Sequence, residues 1–342
     1  MNFAGNDYLG LSRDPRLAEA AHRAAVQHGI SATSSRWGLG WTEIHEQLEL
    51  ALADFLSSEA SCLLGQAFLG GLAYFSVMAD ECDTVFCDAQ SHANLLLGMK
   101  AAELRIHTYR HLDAGDLARQ LNAWTGPPPI IATDTVFGIS GELAPLADLR
   151  GLARKHAAEL LLDDAHGLFA MGPNGRGASE VCGLSPGDAT ILGSMSKALG
   201  ASGGFLAGRT ELVERFRRSE TSSASTPLPI PIAAACLEAL RIVRDQPLLR
   251  DQLAQNANQM RFILARRGIQ IVSSDTPILA MVLTDAAEAQ SLSDHFLSRD
   301  LRIPYFKYPS DPRDNLLRSV ARSCYSDDDM KRFADAVSSF SS

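Results

Sequence analysis

The stretch Ala189-Thr-Ile-Leu-Gly-Ser-Met-Ser-Lys197 decides how this chain is expected to fold, because an apolar run of strand length ends there in two serines and a lysine. Earlier in the chain, Leu161-Leu-Asp163-Asp-Ala-His166-Gly is a second apolar run, which ends in a carboxylate and an imidazole. Apolar runs of this kind are typical of strands buried on both faces of a parallel sheet, and ligands bind at the carboxyl edge of such sheets. The two runs therefore predict an α/β fold with Lys197, Asp163 and His166 close together at one sheet edge.

These three residue types are the ones that pyridoxal 5′-phosphate (PLP) requires. An amine forms a Schiff base with the aldehyde of the cofactor, an anion pairs with the pyridinium nitrogen, and a third group orients the ring. Lys197, Asp163 and His166 can supply these functions in that order. We therefore predict PLP as the cofactor.

The composition limits the class of protein further. A chain of 342 residues is too long for one small core and favours a large domain beside a smaller one. The formal net charge of −9 disfavours a nucleic-acid or acidic-membrane partner, and we find neither a membrane span nor a signal peptide, so we expect a cytoplasmic protein. The six cysteines lack Cys-x-x-Cys pairs and zinc-site spacing, which favours buried free thiols over a metal or disulfide site.

Helical stretches and short apolar runs alternate from residue 44 to about residue 210. The segment Ile44–Phe55 has the apolar spacing of a helix. Strand character is found at Asp83–Asp88, Pro129–Asp134, Glu159–Asp163, Ala189–Gly193 and Gly204–Gly208. This alternation predicts a mainly parallel sheet with helices on both faces.

The proline cluster at residues 227–231 marks the end of this pattern, because proline lacks an N–H donor and fixes φ. A long helical region is predicted from Ala233 to about Arg267, followed by an αβ-like tail with strand character at Ile269–Val272 and Ile278–Leu283. The predicted organisation is an N-terminal segment (residues 1–40), a large domain (residues 41–230) and a smaller C-terminal α/β domain (residues 231–342).

Seven sequence blocks occur in an order that matches one enzyme family. They are Asn6-Asp-Tyr-Leu-Gly-Leu11; Ser34-Ser-Arg36 with His45-x-x-Leu-Glu; Asp88-Ala-Gln-Ser-His92-Ala; Asp134-Thr-Val-Phe137 through Gly141-Glu-Leu-Ala-Pro-Leu146; Asp163-Asp-Ala-His166-Gly with Gly175-Arg-Gly177; Ser194-Met-Ser-Lys197-Ala-Leu-Gly200 with Gly203-Gly204; and Ser225-Thr226-Pro-Leu-Pro229. Over nearly its whole length the chain resembles the α-oxoamine synthases, which are fold-type I PLP-dependent transferases. The resemblance implies a large domain with a mainly parallel seven-stranded sheet flanked by helices.

The resemblance also implies roles for the matching residues. Lys197 would hold PLP and then act as acid and base at the substrate Cα, Asp163 would pair with the ring nitrogen, His166 would lie near the ring hydroxyl, and His92 would stack on the ring. Further cofactor-binding residues are implied at Ser194, Asp134, Thr226, and the backbone N–H groups of Ala67 and Phe68. Substrate-binding residues are implied at Arg318, Asn6 and Arg36. Because Thr226 would reach the phosphate of a neighbouring subunit, a homodimer is implied.

The chain departs from the family pattern in several places. The phosphate loop reads Gln66-Ala67-Phe68, and alanine in place of a glycine disfavours a positive φ, so either the loop is re-routed or no glycine is needed. Asp134 stands where a glutamate is usual, and Gly138 stands in place of a serine. The segment Pro304-Tyr-Phe-Lys-Tyr-Pro309 also differs, and many members begin some tens of residues earlier, so groups from that segment are expected to be absent. These departures suggest a divergent member with a specialised substrate.

The implied activity is condensation of an amino acid with an acyl thioester of coenzyme A or a carrier protein, with decarboxylation to an α-aminoketone. The main alternative is a PLP-dependent aminotransferase on the same scaffold. The run Ser194-Met-Ser-Lys197 also matches the Ser-x-x-Lys motif of penicillin-binding enzymes, but the companion Ser-Asp-Asn and Lys-Thr-Gly motifs do not follow. A catalytically inactive scaffold is disfavoured because Lys197, Asp163 and His92 are all present. The sequence leaves the amino acid and the acyl chain open.

Overall fold

The computed structural model describes residues 1–308 and 311–340. Its strands are β1 (Ala60–Leu64), β2 (Thr84–Asp88), β3 (Arg105–Tyr109), β4 (Ile130–Asp134), β5 (Glu159–Asp163), β6 (Thr190–Ser194), β7 (Gly204–Gly208), β8 (Gln270–Ile271), β9 (Ile278–Val282) and β10 (Leu316–Val320). Its α-helices are α1 (Pro15–His28), α2 (Glu43–Leu56), α3 (Gly70–Met78), α4 (Ala93–Ala101), α5 (Ala114–Ala123), α6 (Leu146–Lys155), α7 (Ala178–Val181), α8 (Thr210–Arg218), α9 (Glu220–Ser223), α10 (Ile230–Asp245), α11 (Leu248–Arg266), α12 (Ala286–Leu297) and α13 (Asp327–Ser339). Short 3₁₀ turns lie at Leu11–Arg13 and Ala67–Leu69.

The large sheet has seven strands in the order β1-β7-β6-β5-β4-β2-β3. Strands β3, β2, β4, β5 and β6 pair in parallel, whereas β7 is antiparallel to both of its neighbours. The prediction of a mainly parallel seven-stranded sheet in an α/β fold is therefore confirmed.

Both faces of this sheet are covered, which explains why its strands read as continuous apolar runs. Successive side chains of a strand point to opposite faces. Accordingly, Ile131 and Leu162 belong to one buried cluster and Ile130 and Leu161 to the other. The strands bury apolar side chains on both faces, and this leaves only their ends available for polar residues.

The polar ends of four strands meet at one edge of the sheet. Strands β2, β4, β5 and β6 run in the same direction and end in Asp88, Asp134, Asp163 and Ser194. Asp134 and Asp163 are direct register partners. This edge is where the sequence predicts the site.

The C-terminal part contains a separate antiparallel sheet in the order β10-β9-β8. The N-terminus attaches to this part, because the Phe3 N–H donates to the Arg302 carbonyl (3.1 Å) and the Val320 N–H donates to the Phe3 carbonyl (2.6 Å). The ring of Phe3 packs against Tyr325 and Phe333. The chain that follows brings the Asn6-Asp-Tyr8 motif to the edge of the large sheet, as described below.

The predicted helical region Ala233–Arg267 consists of two helices, α10 and α11, which are separated at Gln246 and Pro247 because proline supplies no N–H to continue the first one. Two other predictions about local structure were wrong in detail. The predicted strand Ile269–Val272 is reduced to β8. Of the six cysteines, Cys182 is half-buried and Cys324 is exposed, since Cys324 lies in the turn before α13.

None of the helices in the described ranges combines the length and the apolar character that crossing a membrane requires.

A charged cluster ties the edge of the large sheet to the C-terminal part. The His111 Nδ1 lies 2.7 Å from the buried Asp88 carboxylate and its Nε2 lies 3.4 Å from Glu142. Arg313 binds both Glu142 (2.9 Å) and Asp311 (2.7 Å). Burial alone would lower the pKa of His111, but hydrogen bonds with the two carboxylates outweigh it and raise the pKa from 6.5 to about 9.

We expect His111→Gln to destabilise the protein in a pH-dependent manner. A histidine whose pKa is raised on folding adds stability that is fully present below about pH 6.5 and is lost as the pH rises to about 9. The loss should be about 2 kcal/mol near pH 6, since one pKa unit corresponds to about 1.4 kcal/mol and part of the shift is screened. Thermal unfolding at about pH 6 and about pH 9.5 measures it, with the exposed His28→Gln as control. A stability difference between the unmodified protein and His111→Gln that increases with rising pH would contradict the raised pKa of His111.

Candidate active site

A cavity of about 500 Å³ opens at the carboxyl edge of the large sheet. Ten of the twelve site residues predicted from the sequence line it: Lys197, Asp163, His166, His92, Ser194, Asp134, Ala67, Phe68, Asn6 and Arg318. The other two, Arg36 and Thr226, do not. The volume is in the usual range for small-molecule sites.

Lys197 lies in the loop after β6 and faces the cavity. The loop is anchored by the buried side chains of Met195 and Ala198 and by a hydrogen bond from the Met195 N–H to the Gly203 carbonyl (3.0 Å). Burial lowers the pKa of the Lys197 amine from 10.5 to about 8, although nearby carboxylates oppose the shift. The neutral, nucleophilic form of the amine is therefore reached close to physiological pH.

Asp163 is the last residue of β5 and is buried at the floor of the site. Its Oδ2 accepts a hydrogen bond from the Asn94 side-chain amide (2.8 Å), and its Oδ1 accepts one from the Ala165 N–H (3.1 Å). These two donors stabilise the carboxylate and leave lone pairs free for a further donor. Asp163 can therefore bind a cationic N–H in the cavity.

Asp134, beside Asp163, supports the loop that carries His92. Its Oδ2 accepts a hydrogen bond from the His92 N–H (2.8 Å). Burial and the charge of Asp163 raise the pKa of Asp134 well above its usual range. The His92 ring is exposed at the start of α4 and meets Phe68 edge-on, with the ring centroids 6.1 Å apart. It presents a flat aromatic surface to a ligand.

His166 follows the turn after β5 and lines the cavity. Its Nδ1 lies 2.7 Å from the hydroxyl of Tyr8. Burial, reinforced by the positive charges of Lys197 and Arg318, holds the pKa of His166 well below its ordinary value. The imidazole is therefore neutral at physiological pH.

One end of the cavity, at the 3₁₀ turn Ala67–Leu69, presents unpaired hydrogen-bond donors. In the described ranges, the backbone N–H groups of Ala67 and Phe68 donate to no protein acceptor, and the Ser194 and Ser196 hydroxyls lie 2.8 Å apart nearby. The turn packs tightly on β7, since a Cβ at Gly204 would lie 2.3 Å from the Ala67 Cα. Ala67 does not have a positive φ, so a glycine is not needed in this loop.

Arg318, on β10, is held in place by the N-terminal segment. Its Nε donates to the Gly138 carbonyl (2.5 Å), its Nη1 to the Ala4 carbonyl (3.0 Å) and its Nη2 to the Asn6 Oδ1 (2.6 Å). Each terminal nitrogen keeps one N–H group, because guanidinium has five donors. The buried fork can therefore still bind a carboxylate.

Arg36 and Thr226 lie away from this cavity within one chain. Both line a second cavity of about 480 Å³, together with Gln66. Arg36 pairs with both oxygens of Glu49 (2.7 and 3.0 Å), and its guanidinium lies 3.5 Å from the centre of a Trp41 ring. Thr226 is exposed. The roles implied for these two residues thus stay predictions.

Several residues that shape the cavity were not singled out from the sequence. Asn94 binds Asp163, Tyr8 binds His166, and Tyr308 lines the cavity. Tyr8 belongs to the Asn6-Asp-Tyr motif, so the sequence marked this segment as part of the family pattern but did not indicate a role for Tyr8. Of the divergent segment at residues 304–309, Pro309 lies outside the described residues.

The donor set of the cavity fits PLP. An amine whose pKa is lowered to about 8, a buried carboxylate, a neutral imidazole and a cluster of free N–H and hydroxyl donors face one space. These groups match an aldehyde, a pyridinium nitrogen, a ring hydroxyl and a phosphate respectively.

Comparisons with known proteins found a matching family profile, similar sequences and a similar solved structure. The sequence profile of the family "Aminotransferase class I and II" matches residues 1–337. The 8-amino-7-oxononanoate synthase of Symbiobacterium thermophilum is 34% identical over 334 residues, which are 96% of this chain and 85% of the relative. That of Alkalilimnicola ehrlichii is 36% identical over 313 residues, which are 91% of this chain and 80% of the relative. The serine palmitoyltransferase of S. paucimobilis, with a bound PLP–myriocin aldimine, superposes with a TM-score of 0.93 at 25% identity over 98% of this chain and 87% of that chain.

Proposed function

Because the chain belongs to the aminotransferase class I and II family and, within it, to the α-oxoamine synthases, we propose that the cavity is the active site of a PLP-dependent acyltransferase. The enzyme condenses an amino acid with an acyl thioester of coenzyme A or a carrier protein and releases carbon dioxide, which leaves an α-aminoketone. The observation that carries the proposal is the convergence of Lys197, Asp163, His166 and Arg318 on one cavity.

When bound, PLP supplies an electron-accepting ring that stabilises negative charge at the substrate Cα. Asp163, supported by Asn94, would accept a hydrogen bond from the ring nitrogen and keep it protonated. Ser194 and the free N–H groups of Ala67 and Phe68 would hold the phosphate. His92 would contact the ring, and Asp134 fixes the loop that carries His92.

The amino acid is held at the opposite end by its carboxylate. The two remaining N–H groups of the Arg318 fork bind the carboxylate oxygens. Because the Asn6 Oδ1 already accepts from Arg318, the Asn6 amide nitrogen remains as a second donor. Lys197, as a neutral amine, takes the proton from Cα and later returns one.

The remaining cavity surface is largely apolar and suits an acyl chain. Phe68, Ile139 and Tyr308 contribute to it. Carbon dioxide leaves after the new C–C bond has formed, because the ketone β to the carboxylate then accepts the electron pair.

The aminotransferase alternative is not favoured. The two relatives compared above are 8-amino-7-oxononanoate synthases, and each aligns with this chain over 80% or more of its own length. The domain boundaries at residues 40 and 230 and the cytoplasmic location stay predictions.

Product analysis tests the proposed activity. We expect the purified protein, supplied with PLP, single amino acids and a panel of acyl thioesters, to give one α-aminoketone whose mass equals the sum of the acyl and amino-acid parts less carbon dioxide. Lys197→Ala is the control for uncatalysed products. Conversion of a 2-oxo acid into an amino acid, with no thioester consumed across the panel, would instead establish the aminotransferase.

We expect Arg318→Ala to raise the KM for the amino acid by roughly 10- to 150-fold, since a charge-assisted clamp contributes about 1.5–3 kcal/mol. Arg318→Lys should recover part of this loss, because it keeps the charge but not the fork. Steady-state kinetics with the acyl thioester at saturation measure the effect. The control is Arg322→Lys, since Arg322 binds Asp7 next to Asn6 but does not line the cavity. An unchanged amino-acid KM in Arg318→Ala would remove Arg318 from the substrate site.

We also propose a homodimer in which Thr226 donates to the phosphate bound by the partner subunit. Thr226 is exposed, and the segment whose Trp37 N–H donates to the Ser223 carbonyl (3.4 Å) carries two large exposed apolar side chains, Trp37 and Leu39, which are 69% and 90% exposed. Large exposed apolar side chains of this kind favour an interface. We expect Thr226→Ala to weaken PLP binding roughly tenfold. Ser225→Ala is the control, because the Ser225 hydroxyl already donates to the Thr221 carbonyl of its own chain (3.0 Å). A fully active monomer would contradict this assembly.

A further inference from the structure

Tyr8 is a fully buried residue whose hydroxyl contact with His166 is not used in the mechanism above. Its hydroxyl lies 2.7 Å from the His166 Nδ1, and the two rings meet edge-on at 70° with their centroids 6.2 Å apart. Tyr8 comes from the N-terminal segment, whereas His166 follows β5. The contact therefore joins two parts of the chain that lie far apart in sequence.

The chemistry around Tyr8 determines which atom carries each proton. Burial raises the pKa of Tyr8 to about 12, and the pKa of His166 is held well below its ordinary value, so both groups are neutral at physiological pH. Arg318 also approaches the Tyr8 hydroxyl, but a guanidinium only donates. In the described ranges, the phenol proton has no acceptor within hydrogen-bond distance other than the His166 Nδ1. The hydroxyl therefore donates to Nδ1, and the imidazole proton is on Nε2.

The space next to the His166 Nε2 is kept open by a glycine. A Cβ at Gly138 would lie 2.4 Å from Nε2, 3.0 Å from Cε1 and 3.1 Å from Cδ2. Gly138 has no positive φ, so its backbone does not require glycine. Its carbonyl also accepts from the Arg318 Nε, which fixes this part of the loop. Any side chain at this position would therefore have to displace His166.

We propose that Tyr8 is a positioning residue that fixes His166 as the Nε2–H tautomer, and that Gly138 keeps the space beside this N–H open for an acceptor oxygen of the ligand. The inference deepens the proposed function and rests on it for the identity of that ligand, because the hydroxyl oxygen of the PLP ring is the acceptor. The tautomer itself rests only on residues of this chain.

Nitrogen NMR on cofactor-free protein tests the tautomer without reference to activity. In protein labelled with ¹⁵N-histidine, the His166 signals are assigned as those missing from His166→Asn. We expect Nδ1 in the unprotonated range and Nε2 in the protonated range, and Tyr8→Phe should change this to a mixture of both tautomers. Tyr74→Phe is the matched control, since Tyr74 is fully buried and its hydroxyl has no partner in the described residues. A proton on Nδ1 in the unmodified protein would overturn the proposal, even if Tyr8→Phe fails to fold.

Cofactor titration tests the role of Gly138. We expect Gly138→Ala to shift the His166 signals in the cofactor-free protein and to weaken PLP binding by roughly tenfold, since one hydrogen bond to the ligand is lost. Gly151→Ala is the control, because a Cβ there meets nothing within 4 Å. Unchanged His166 signals in Gly138→Ala would overturn the role of Gly138. If the unmodified protein has the expected tautomer and does not bind PLP, the proposed function fails while the assignment of Tyr8 stands.

Discussion

Replacing Lys197 with alanine is expected to lower kcat by roughly 10³-fold or more, a barrier increase of about 4 kcal/mol. In the proposed mechanism, Lys197, which lines the cavity, is both the amine that bonds covalently to PLP and the base that takes the Cα proton, and the variant loses both. The unmodified protein should be yellow, because PLP held as an imine absorbs visible light, and borohydride should bleach it. Peptide mapping after reduction should then find the cofactor on Lys197.

Lys307→Ala is the control for this result, because Lys307 is 71% exposed and does not line the cavity. It should keep the colour, the reducible linkage and the turnover. The assignment of Lys197 is wrong if Lys197→Ala retains a borohydride-reducible adduct together with activity. A protein that stays colourless after incubation with PLP would remove the cofactor from the account.

Asp163→Asn is expected to bind PLP and yet to lose roughly 10²- to 10³-fold in kcat, or about 3–4 kcal/mol. An amide does not keep the pyridine nitrogen protonated, so the ring accepts less charge from the substrate Cα. The amide also meets a mismatch, because two protein donors, the Asn94 side chain and the Ala165 N–H, point at the two oxygens of residue 163. Steady-state kinetics at saturating PLP measure the loss.

Asp134→Asn provides a matched control, since Asp134 is the register partner of Asp163 at the same sheet edge. Burial and the charge of Asp163 raise the pKa of Asp134 well above its usual range, so a neutral amide resembles its protonated form and can still accept from the His92 N–H. We expect a much smaller loss of kcat in this variant. Equal losses in the two variants would show that Asp163 has no special relation to the cofactor ring.

The features that the sequence predicted correctly are those that depend on local patterns. Continuous apolar runs identified β4, β5 and β6 because both faces of the sheet are buried, and the position of Asp163 and Lys197 after these runs placed them at one edge. Parallel strands bring their carboxyl ends together whatever the intervening helices contain. The location of the site could therefore be predicted from the strand ends alone, without knowledge of the other residues that line the cavity.

The features that the sequence did not predict depend on contacts between distant segments. Tyr8 meets His166 only because the N-terminal segment is held by Arg302 and Val320 of the C-terminal part. Asn94 lies in the first turn of α4, and its contact with Asp163 depends on how α4 packs on the sheet. Side-chain pairing over such separations is set by tertiary packing, which no local pattern encodes.

In the proposed reaction, C–C bond formation with an acyl thioester precedes loss of the carboxylate, and the stoichiometry of release tests this order. The enzyme would be given an amino acid with a ¹³C-labelled carboxyl group and an acyl thioester found productive in the panel. We expect labelled carbon dioxide and free thiol in equal amounts, both dependent on the thioester. Amino acid consumed to a 2-oxo acid that retains the label, without thiol release, would contradict it.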